Sequence, residues 1–486
     1  MVVDQYYEHG SNGLLFNGKV LFIIETKKVS DFSNWLFKSA SKFGISRSDC
    51  TIIGNNPEPS KHHLCHAVGA YYQSGFNDAS ILVIDGMNEP NGISIGIYSA
   101  SGDDIKEVRT YSTRHSLGTF YANGTDMCGL GDYRHAGKLM GAASYSNTVK
   151  KCKPFLTVDR YTGDIDDNQT EYITFDDLIL REEYLNTIFD SHLGPDTKFD
   201  FRAVESAATV QKLFEDSVFS LLEYMWNTLP SKNLILSGGC ALNCTCNGKI
   251  IRSKKWDNLF IPNMCEDQGN IIGRIVMEYG QKVNNLYMYN NVSYPVPSEY
   301  NYELDPEELS KLIKSGKIIA WFEGGSEYGP RALCHRSLLA DPFQYKSAYR
   351  LNEVKNREYW RPLAPVVLDT HFSKYFDVDG RIWPIHKTML STEYIREEYR
   401  LQLRNVMAPD GTSRPQVLTD NRYNSILYSI MKDYDLPILI NTSMNGKDEP
   451  ICETPEDAIK FANRNSDVVL VFVHKNKLYI REKVKC

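Results

Sequence analysis

Apolar residues near the start of the chain fall into short runs separated by turn residues. Leu14–Phe16 and Val20–Ile24 flank Asn17-Gly18, a dipeptide that favours the positive φ angles of a two-residue hairpin turn. A comparable layout follows in the runs Ile81–Ile84, Ile93–Tyr98 and Ile105–Tyr111, separated by Asp85-Gly86 and Ser101-Gly102-Asp103. Because strands and hairpins recur with helical segments between them, the pattern predicts a duplicated α/β unit.

The middle of the chain changes to helical periodicity. Apolar residues from Val210 to Met225 keep the spacing of an amphipathic helix, which is predicted over residues 207–229. A short strand at 234–236 then opens into Ser237-Gly238-Gly239, and a second helix is predicted over 241–251. Residues 287–302 are rich in Tyr, Asn, Pro and Ser, which is typical of a linker. The sequence therefore predicts two domains, 1–295 and 296–486.

Length and composition are those of a globular protein with more than one domain. A chain of 486 residues exceeds one ordinary core, and its content of 42% hydrophobic and 24% charged residues is typical of soluble proteins. The net charge of −7 argues against a nonspecific nucleic-acid binder, although it is compatible with a local basic pocket. No apolar run approaches the ~20 residues that span a bilayer, and the N-terminus lacks a secretory layout. We therefore expect a cytoplasmic protein with no membrane partner.

Cysteine usage supports the same compartment. Eleven cysteines, an odd number scattered along a long chain, fit reduced thiols. Cys240, Cys244 and Cys246 form the tightest group, but no C-x-x-C pair accompanies them. We interpret them as small buried residues, with metal binding as the alternative.

Two histidines one helical turn apart give a metal-binding signal. His62 and His66 follow Pro59-Ser60, a helix start signal, so both imidazoles are expected on one helix face. Asp267 follows a short strand and precedes an apolar helix, which places its carboxylate at the end of a strand. Two histidines and one carboxylate would leave coordination positions open for a substrate, as in catalytic iron or zinc sites. Ordinary packing of the two histidines is the alternative.

Three further features in the first half of the chain are candidates for chemistry. The turn Ser237-Gly238-Gly239 offers unhindered backbone N–H groups that suit a nucleotide phosphate or ribose. Lys138, in a glycine-flanked segment, has a similar status, and His9 is a candidate general base for a hydroxyl. The alternatives are a tight strand–helix turn for the glycines and a structural role for the histidine.

Glycine and arginine residues cluster in the segment 323–342. Gly324-Gly325 and the turn Gly329-Pro330 lie beside Arg331 and Arg336, which are five residues apart. Glycine lets the backbone approach a ligand closely, and guanidinium groups bind phosphate oxygens in pairs. On its own this segment is equally well explained by a surface loop with solvated arginines.

Similar groups recur further along the chain. Lys355-Asn356-Arg357, Arg361 and Arg414 add cations close to turn residues. A buried strand predicted over 436–440 ends at a run of hydrogen-bonding groups, residues 441–446. Several cations together with amide and hydroxyl groups at turns predict a pocket for several phosphates, and a solvated basic face is the alternative.

Sequence motifs in the same order along the chain carry a family resemblance. In the first half they are His62-His63-Leu64-Cys65-His66-Ala67, Ile84-Asp85-Gly86, Ser116-Leu117-Gly118, Gly137-Lys138-Leu139-Met140-Gly141 and Ser237-Gly238-Gly239-Cys240-Ala241-Leu242-Asn243. In the second half they are Glu327-Tyr328-Gly329-Pro330-Arg331-Ala332-Leu333, Arg336-Ser337, Leu339-Ala340-Asp341-Pro342, Arg361-Pro362, Ala364-Pro365, Asn441-Thr442-Ser443-Met444-Asn445 and Glu449-Pro450-Ile451. Together, over nearly the whole chain, they resemble the NodU/CmcH-type O-carbamoyltransferase family.

The resemblance implies an α/β protein with a duplicated actin-like (ASKHA) N-terminal domain, similar to the tRNA threonylcarbamoyl transferase subunit, followed by a YrdC-like α/β domain. The YrdC-like domain would convert carbamoyl phosphate and ATP, the latter with Mg²⁺, to carbamoyl adenylate and release pyrophosphate. The actin-like domain would then transfer the carbamoyl group to an acceptor hydroxyl. A homo-oligomer is compatible with this reading.

Site residues also follow from the resemblance, position by position. His9 would deprotonate the acceptor, and a divalent metal, Fe²⁺ by expectation, would be bound by His62, His66 and Asp267. The adenylate in the N-terminal domain would contact Asp85, Lys138, Ser237, Gly238, Gly239 and Asn243. Carbamoyl phosphate and ATP in the C-terminal domain would contact Arg331, Arg336, Lys355, Arg361, Arg414, Asn441, Ser443 and Asn445.

The chain departs from the family pattern at several positions. Gly10-Ser11-Asn12 follows His9 where an acidic and then a small residue are usual, and the acidic run after the first hairpin is reduced to Glu25-Thr26-Lys27-Lys28. Ile271 replaces a usual alanine, and Cys334-His335 replaces a usual glycine-asparagine pair. Most of these changes lie around the expected acceptor and adenylate site, so the identity of the acceptor does not carry over from the family.

Three functions are therefore weighed. The first is an ATP-dependent O-carbamoyltransferase acting on a sugar or secondary metabolite, or on a hydroxymethylated pyrimidine nucleotide or base in DNA, since the residue usage is that of AT-rich codons. The second is a threonylcarbamoyl-type enzyme acting on tRNA, which the net charge of −7 disfavours. The third is a non-catalytic nucleotide-binding scaffold. A scaffold would not need to keep both the metal and adenylate residues of the first domain and the carbamoyl-phosphate and ATP residues of the second.

Overall fold

The computed structural model describes residues 11–16, 19–25, 50–54, 59–86, 92–151, 154–166, 188–189, 198–199, 201–280, 288–290, 293–421 and 425–482. They pack into two compact units, counted over these residues. The first unit consists of Asn56–Leu286 with Ala408–Asp410, and the second of Met1–Asn55, Tyr287–Met407 and Gly411–Cys486. Both contain strands and helices, so the predicted α/β class is confirmed. The domain boundary at 295/296 stays a prediction.

The first described strands form a small antiparallel sheet. Strand β1 (Ser11–Phe16) pairs with β2 (Lys19–Glu25), and Phe16 lies opposite Lys19. This pairing is that of the predicted hairpin, although the Asn17-Gly18 turn itself lies outside the described residues. Strand β3 (Cys50–Gly54) pairs with the other edge of β1, also antiparallel.

The first unit is built on a five-stranded sheet with the order β10-β9-β4-β5-β6. Strands β4, β5 and β6 are antiparallel neighbours, whereas β9 and β10 run parallel to β4, so the sheet has the strand-plus-hairpin arrangement that the sequence predicts. The strands described for this part of the chain are β4 (Asp78–Ile84), β5 (Ile93–Ser101), β6 (Asp104–Ser112), β7 (Ile188–Phe189), β8 (Lys198–Phe199), β9 (Asn233–Ser237) and β10 (Asn258–Phe260). Its α-helices are α1 (His62–Ser74), α2 (Leu117–Met127), α3 (Ala136–Ala143), α4 (Phe201–Thr228), α5 (Cys244–Ser253) and α6 (Asn270–Tyr279).

Apolar side chains of this sheet and helix α1 form a common core. Ile81, Val83 and Ile235 from the central strands are buried against Ala67 and Ala70 of the helix. The predicted amphipathic helix is confirmed as α4, which begins six residues earlier than predicted. The helix predicted over 241–251 is instead a 3₁₀ turn (Gly239–Leu242) followed by α5, because the side chain of Asn243 caps the α-helix by accepting from the N–H of Cys246.

Two glycines allow helices α1 and α6 to pack with their backbones in contact. A Cβ atom at Gly273 would lie 2.1 Å from the carbonyl oxygen of Cys65, and one at Gly69 would lie 3.0 Å from the N atom of Gly273. Only hydrogen fits at such a contact, as in other close helix pairs. The packing brings the first turns of α1 close to the turn that precedes α6.

The second unit contains an eight-stranded mixed sheet with the order β11-β20-β19-β12-β13-β18-β14-β17. The described strands of this part of the chain are β11 (Tyr302–Leu304), β12 (Ile318–Glu323), β13 (Arg336–Ala340), β14 (Ala364–Leu368), β15 (Glu393–Tyr394), β16 (Thr412–Ser413), β17 (Gln416–Leu418), β18 (Ile438–Ser443), β19 (Val468–His474) and β20 (Lys477–Ile480). The α-helices are α7 (Pro306–Lys314), α8 (Ser347–Val354), α9 (Asp369–Tyr375), α10 (Ser425–Asp433) and α11 (Pro455–Asn463).

Both faces of this sheet are buried, which explains the continuous apolar runs of its central strands. Along β12, Ile318, Ala320 and Phe322 belong to one core, whereas Ile319 and Trp321 belong to the core on the opposite face. This alternation is the period of two that a pleated strand imposes. Strand β18 is longer than predicted and includes Asn441 and Ser443, which were expected beyond its end, because β18 pairs there with β13 and β14.

Among the residues that the structure describes, no helix combines the length and the apolar character needed to cross a membrane.

The backbone contact between α1 and α6 leads to a first prediction. Gly273→Ala should lower the thermal unfolding temperature, because the added methyl group cannot fit at 2.1 Å from the carbonyl of Cys65 and overpacking costs about 1–3 kcal/mol. Differential scanning calorimetry measures the change. Gly137→Ala is the matched control, because a Cβ at this helical glycine has no neighbour within 4 Å and should be neutral or stabilising. An unchanged unfolding temperature for Gly273→Ala would contradict the tight packing of the two helices.

Candidate functional site

Four side chains from three places in the first unit converge on one point. They are His62, His66, Asp85 and Asp267, whose ligand atoms all lie within 4.8 Å of one another. Nε2 of His62 lies 3.0 Å from Oδ2 of Asp85 and 3.3 Å from Oδ1 of Asp267. Nε2 of His66 lies 3.3 Å and 3.4 Å from the same two oxygens. Two imidazole nitrogens and two carboxylate oxygens are a donor set suited to iron, zinc or manganese.

The fold explains how each member reaches this point. His62 and His66 occupy the first turns of α1 and are one turn apart on the same face, as predicted. Asp85 immediately follows strand β4, and Asp267 begins the short 3₁₀ turn that precedes α6. The close packing of α1 against α6 therefore brings the histidines and Asp267 together, and the β4 strand end supplies Asp85.

Asp85 has two oxygens with different roles. Oδ1 accepts hydrogen bonds from the backbone N–H groups of Gly86 (2.8 Å) and Gly239 (3.1 Å), whereas Oδ2 faces the two histidines. The backbone bonds fix the rotamer of the carboxylate and leave one oxygen directed at the imidazoles. Asp85 was predicted as an adenylate contact, which stays a prediction, and the structure places its carboxylate among the four side chains that could hold a metal ion, called the metal-ligand cluster below.

The electrostatics of the cluster favour a cation. Burial alone would lower the pKa of His62, but hydrogen bonds and charge from Asp267 and Asp85 raise it to about 9. Burial also acts to lower the pKa of His66, but hydrogen bonds and charge from the same two carboxylates raise it. Burial acts to raise the pKa of Asp85, but the two histidines hold it well below its usual range. Two carboxylates placed this close need positive charge between them. A divalent ion would supply that charge, and a six-coordinate ion would keep two positions for a substrate.

Neighbouring polar groups orient the histidines. Oγ of Ser237 lies 3.4 Å from Nδ1 of His66, and Nδ2 of Asn270 lies 3.4 Å from Nδ1 of His62. Partners on the far nitrogen of a metal-binding histidine fix the ring orientation and the tautomer. Ser237 was predicted as a nucleotide contact, whereas Asn270 was not predicted and is adjacent to the cluster only through the fold.

The glycine turn after β9 supports the cluster from below. Gly238 has a φ of +88°, and a Cβ there would lie 2.2 Å from the carbonyl oxygen of Ile84.

The other predicted residues of the first half have different surroundings. The side chain of Asn243 accepts from the N–H of Cys246 and is paired with Gln211, so its groups are used inside the protein. Lys138 lies half-buried on helix α3. His9, the predicted general base, lies outside the described residues.

In the second unit, Arg336 is completely buried and bonded to backbone carbonyl groups. Its guanidinium donates to the carbonyl oxygens of Glu323, Gly324, His335 and Glu453, through all three nitrogens. These bonds use all five N–H groups. The geometry therefore argues against the prediction that Arg336 binds a substrate phosphate. It holds together the loop that carries Arg331.

Lys355 and the Asn441–Asn445 segment are likewise bonded within the protein. Nζ of Lys355 donates to the backbone and side-chain oxygens of Ser443 and Asn445, and burial holds the pKa of this lysine well below its usual range. Nδ2 of Asn441 donates to the carbonyl oxygen of Ala332 and to Gln416. The structure thus brings these predicted residues together, and it uses their hydrogen-bond donors in bonds within the protein.

Three arginines, Arg357, Arg361 and Arg414, lie close enough for their positive charges to act on one another. Burial and the charges of Arg361 and Arg414 lower the pKa of Arg357 to about 9, and burial followed by the charge of Arg414 lowers the pKa of Arg361. One terminal nitrogen of Arg357 and Nε of Arg414 are buried with no hydrogen-bond partner among the described residues. Guanidinium groups held this close without enough carboxylates are typical of an anion site. Arg357 was not among the predicted contacts, although the Lys355-Asn356-Arg357 run was the signal for it.

Two buried glutamates that were not among the predicted site residues organise the same region. Oε1 of Glu327 accepts from the backbone N–H groups of Leu333, His335 and Arg336, which fixes the turn around Arg331. Glu453 accepts from Ser326, Asn290 and Tyr294. No local pattern could have found the bonds of Glu453, because its partners lie 127 to 163 residues away along the chain.

Comparison with known families identifies two matching regions. The family model described as "Carbamoyltransferase N-terminus" matches residues 21–276, and "Carbamoyltransferase C-terminus" matches residues 310–478. The metal-ligand cluster lies in the first region, and the arginine group lies in the second.

Individual proteins give a consistent result. The nodulation protein NolNO of Sinorhizobium fredii is 30% identical over 84% of this chain and 62% of its own length. The 3′-hydroxymethylcephem-O-carbamoyltransferase of Amycolatopsis lactamdurans is 31% identical over 55% of this chain and 50% of its own length. The chain therefore spans between half and two thirds of these two relatives. Among solved structures, the activator of 2-hydroxyisocaproyl-CoA dehydratase from Clostridium difficile gives a TM-score of 0.31 with 14% identity, covering 56% of this chain and 91% of the activator.

The oxygen that Asp85 directs at both His62 and His66 leads to a second prediction. Asp85→Asn keeps the shape of the side chain but removes the charge that faces both histidines, so it should weaken the binding of Fe²⁺ by about tenfold or more. Equilibrium dialysis under anaerobic conditions, followed by metal analysis, measures the affinity. Asp104→Asn is the control, because Asp104 is exposed on β6 and forms a surface ion pair with Lys106. Unchanged Fe²⁺ affinity in Asp85→Asn would exclude Asp85 from the ligand set.

The carboxyl group of Glu323 leads to a third prediction. Burial, with the charge of Glu327 adding to it, raises its pKa from 4.5 to about 8, although Trp321 Nε1 donates to it and Arg336 lies nearby. The folded state thus keeps a proton that the unfolded chain releases, so stability falls as the pH rises from about 4.5 to about 8. Glu323→Gln removes this loss, and its unfolding temperature relative to the native chain should rise across that interval.

Thermal melts in a pH series test this expectation. The difference between Glu323→Gln and the native chain should be smallest at the acid end of the interval and largest at the alkaline end. Glu398→Gln, which alters an exposed glutamate of the same unit, should show little change with pH. A constant difference for Glu323→Gln would mean that Glu323 ionises at its usual pH.

Proposed function

The chain belongs to the carbamoyltransferase family, and we propose that it makes carbamoyl adenylate from carbamoyl phosphate and ATP and transfers the carbamoyl group to a hydroxyl acceptor. One observation carries this proposal. Each family-matched region gathers charged side chains that suit one half-reaction, two histidines and two carboxylates in the first and three arginines in the second. A YrdC-like second domain and an actin-like first domain, as the sequence predicts, would divide the work in the same way.

The first half-reaction takes place, in this proposal, at Arg331, Arg357, Arg361 and Arg414. Water cleaves the O–P bond of carbamoyl phosphate, which gives carbamate and inorganic phosphate. A carbamate oxygen then attacks the α-phosphorus of ATP, the bond to the β-phosphate oxygen breaks, and pyrophosphate leaves with Mg²⁺. Clustered guanidinium groups stabilise the charge that builds up on the phosphate oxygens. Hydrogen bonds within the protein would hold this region in place; they involve Lys355, Asn441, Ser443 and Asn445.

The second half-reaction takes place, in this proposal, at His62, His66, Asp85 and Asp267. The acceptor oxygen attacks the carbonyl carbon of carbamoyl adenylate, the bond between that carbon and the phosphate oxygen breaks, and AMP leaves. The acceptor proton goes to a base, for which His9 remains our candidate. A divalent ion held by the cluster, with Fe²⁺ as the expected ion, would supply Lewis acidity for the oxygen atoms that gain charge.

The acceptor is a hydroxyl-bearing molecule. The name of the Amycolatopsis relative specifies a hydroxymethyl acceptor, and we extend only the hydroxyl class to this chain. A sugar or secondary metabolite fits that class, as does a hydroxymethylated pyrimidine nucleotide or base in DNA. Because the reaction consumes ATP and the cysteines described for this chain are free, we place it in the cytoplasm.

A fourth prediction tests the anion site with a reaction that needs no acceptor. The native chain, incubated with carbamoyl phosphate, ATP and Mg²⁺, should release pyrophosphate and form carbamoyl adenylate. Arg357→Gln and Arg414→Gln should each slow this release by about 100- to 1,000-fold, because a preorganised donor to developing charge is lost. Arg404→Gln, an exposed cation of the same unit, is the matched control and should keep the native rate.

The same assay separates the half-reactions. His62→Ala should keep the native rate of pyrophosphate release, since His62 lies in the first unit, whereas the arginine variants should lose it. If the metal-loaded native chain released no pyrophosphate, the adenylation proposal would be wrong. If threonine were required for pyrophosphate release, the chain would be a threonylcarbamoyl-type enzyme instead. Nucleotide binding without turnover would point to a scaffold.

A further inference from the structure

A buried amide on helix α8 links two arginines of the proposed anion site. Asn352 lies in the last turn of α8 and has no exposed surface. Its Oδ1 accepts a hydrogen bond from Nε of Arg357 at 2.6 Å. Its Nδ2 donates to the backbone carbonyl oxygens of Tyr359 at 3.0 Å and of Arg361 at 3.2 Å. These partners fix the orientation of the amide, because a guanidinium group can only donate and a carbonyl oxygen can only accept.

The loop that carries the two arginines leaves helix α8 and returns to it. The N–H of Arg357 donates to the carbonyl oxygen of Asn352 at 3.1 Å, and Asn356 has a φ of +48°, so the chain turns sharply after the helix. Further along the loop, the ring of Tyr359 stacks on that of Tyr349, with ring centres 4.2 Å apart and an angle of 3° between the planes. The loop therefore has two side-chain contacts with the helix. Of these two, the contact of Asn352 is the one that includes a guanidinium group.

Clustered guanidinium groups need a framework that holds them without neutralising them. Burial, followed by the charges of Arg361 and Arg414, lowers the pKa of Arg357 to about 9, so the three cations act against one another. A carboxylate in place of Asn352 would also accept from Nε of Arg357, but the resulting ion pair would reduce the positive charge that attracts an anion. The amide of Asn352 accepts the same hydrogen bond and adds no charge. It therefore restricts the side chain of Arg357 and leaves its charge for a ligand.

We propose that Asn352 is a positioning residue of the anion site, which holds Arg357 by Nε so that the terminal nitrogens keep one orientation before a phosphate group binds. A phosphate group that meets a fixed side chain does not have to restrict it on binding, so less conformational entropy is lost. Asn352 acts through Arg357 and needs no contact with the substrate. The inference rests on the proposed function for the assignment of the phosphate to carbamoyl phosphate or ATP, and inorganic phosphate tests it separately.

Titration calorimetry of the full chain with inorganic phosphate measures the anion site without turnover. EDTA in the buffer removes metal ions that could bind phosphate in the first unit. Asn352→Leu keeps the size of the side chain but loses its acceptor and its donors, and it should weaken phosphate binding by about tenfold, because a hydrogen bond to a charged group is lost. Thermal melts establish whether the variant is folded, and Asn352→Ser replaces it if it is not.

A double-mutant cycle distinguishes positioning of Arg357 from general support of the loop. Arg357→Met keeps an unbranched side chain without donors and should itself weaken phosphate binding. In this background Asn352→Leu should lower the affinity by less than about threefold, because the group that it positions is already absent. Tyr349→Ala is the matched control, since it removes the stack on Tyr359 and leaves the bond of Asn352 to Arg357. Its effect on phosphate affinity should be the same, within about twofold, with either residue at position 357.

The outcomes separate this inference from the function on which it rests. A tenfold loss from Asn352→Leu in both backgrounds would overturn it, because Asn352 would then support the loop rather than Arg357. Unchanged phosphate affinity in a folded Asn352→Leu or Asn352→Ser variant would overturn it as well, and so would a native chain that binds no phosphate. If the cycle gave the expected coupling but the native chain released no pyrophosphate from carbamoyl phosphate and ATP, the proposed function would be wrong and the role of Asn352 would stand.

Discussion

The carboxylate of Asp85 connects the backbone of the first unit to its chemistry. One oxygen accepts two backbone N–H bonds, from Gly86 and Gly239, and the other faces His62 and His66. The two roles are linked, because the hydrogen bonds from the backbone fix the rotamer of Asp85, and this rotamer directs the charge of its second oxygen at the imidazoles. The positive φ of Gly238 belongs to the same arrangement, since any side chain there would collide with Ile84 at the end of β4. The glycine turn Ser237-Gly238-Gly239 therefore also positions Asp85 in the candidate cation site.

The second unit solves a different physical problem, the burial of many charges. Arg336 has no exposed surface and bonds only to backbone carbonyl groups, so its cost of desolvation is offset by five hydrogen bonds. Arg357, Arg361 and Arg414 are not compensated in this way, and their charges act against one another. The contrast distinguishes an arginine that maintains the fold from arginines that have capacity left for a ligand. Residue type alone does not make that distinction.

The two sites also suggest why two family regions occur in one chain. Forming an acyl adenylate needs positive charge around phosphates, whereas transferring the acyl group needs a Lewis acid and an acceptor for the proton. In the function we propose, the arginine group would stabilise the phosphates, and a metal ion held by the cluster around Asp85 would act as the Lewis acid. In the same proposal, a carbamoyl adenylate intermediate would connect the two half-reactions.

Features that depend on local periodicity could be predicted from the sequence. The spacing of His62 and His66 predicted one helix face, and the Asn17-Gly18 signal predicted the pairing of β1 with β2. The partners of the polar groups depend on the three-dimensional fold. The fold brings Asp85 next to His62 and His66, and it uses the donors of Arg336 and Lys355 in hydrogen bonds within the protein. The reason is physical: periodicity is set by neighbours a few residues away, whereas hydrogen-bond partners come from segments that only folding brings together.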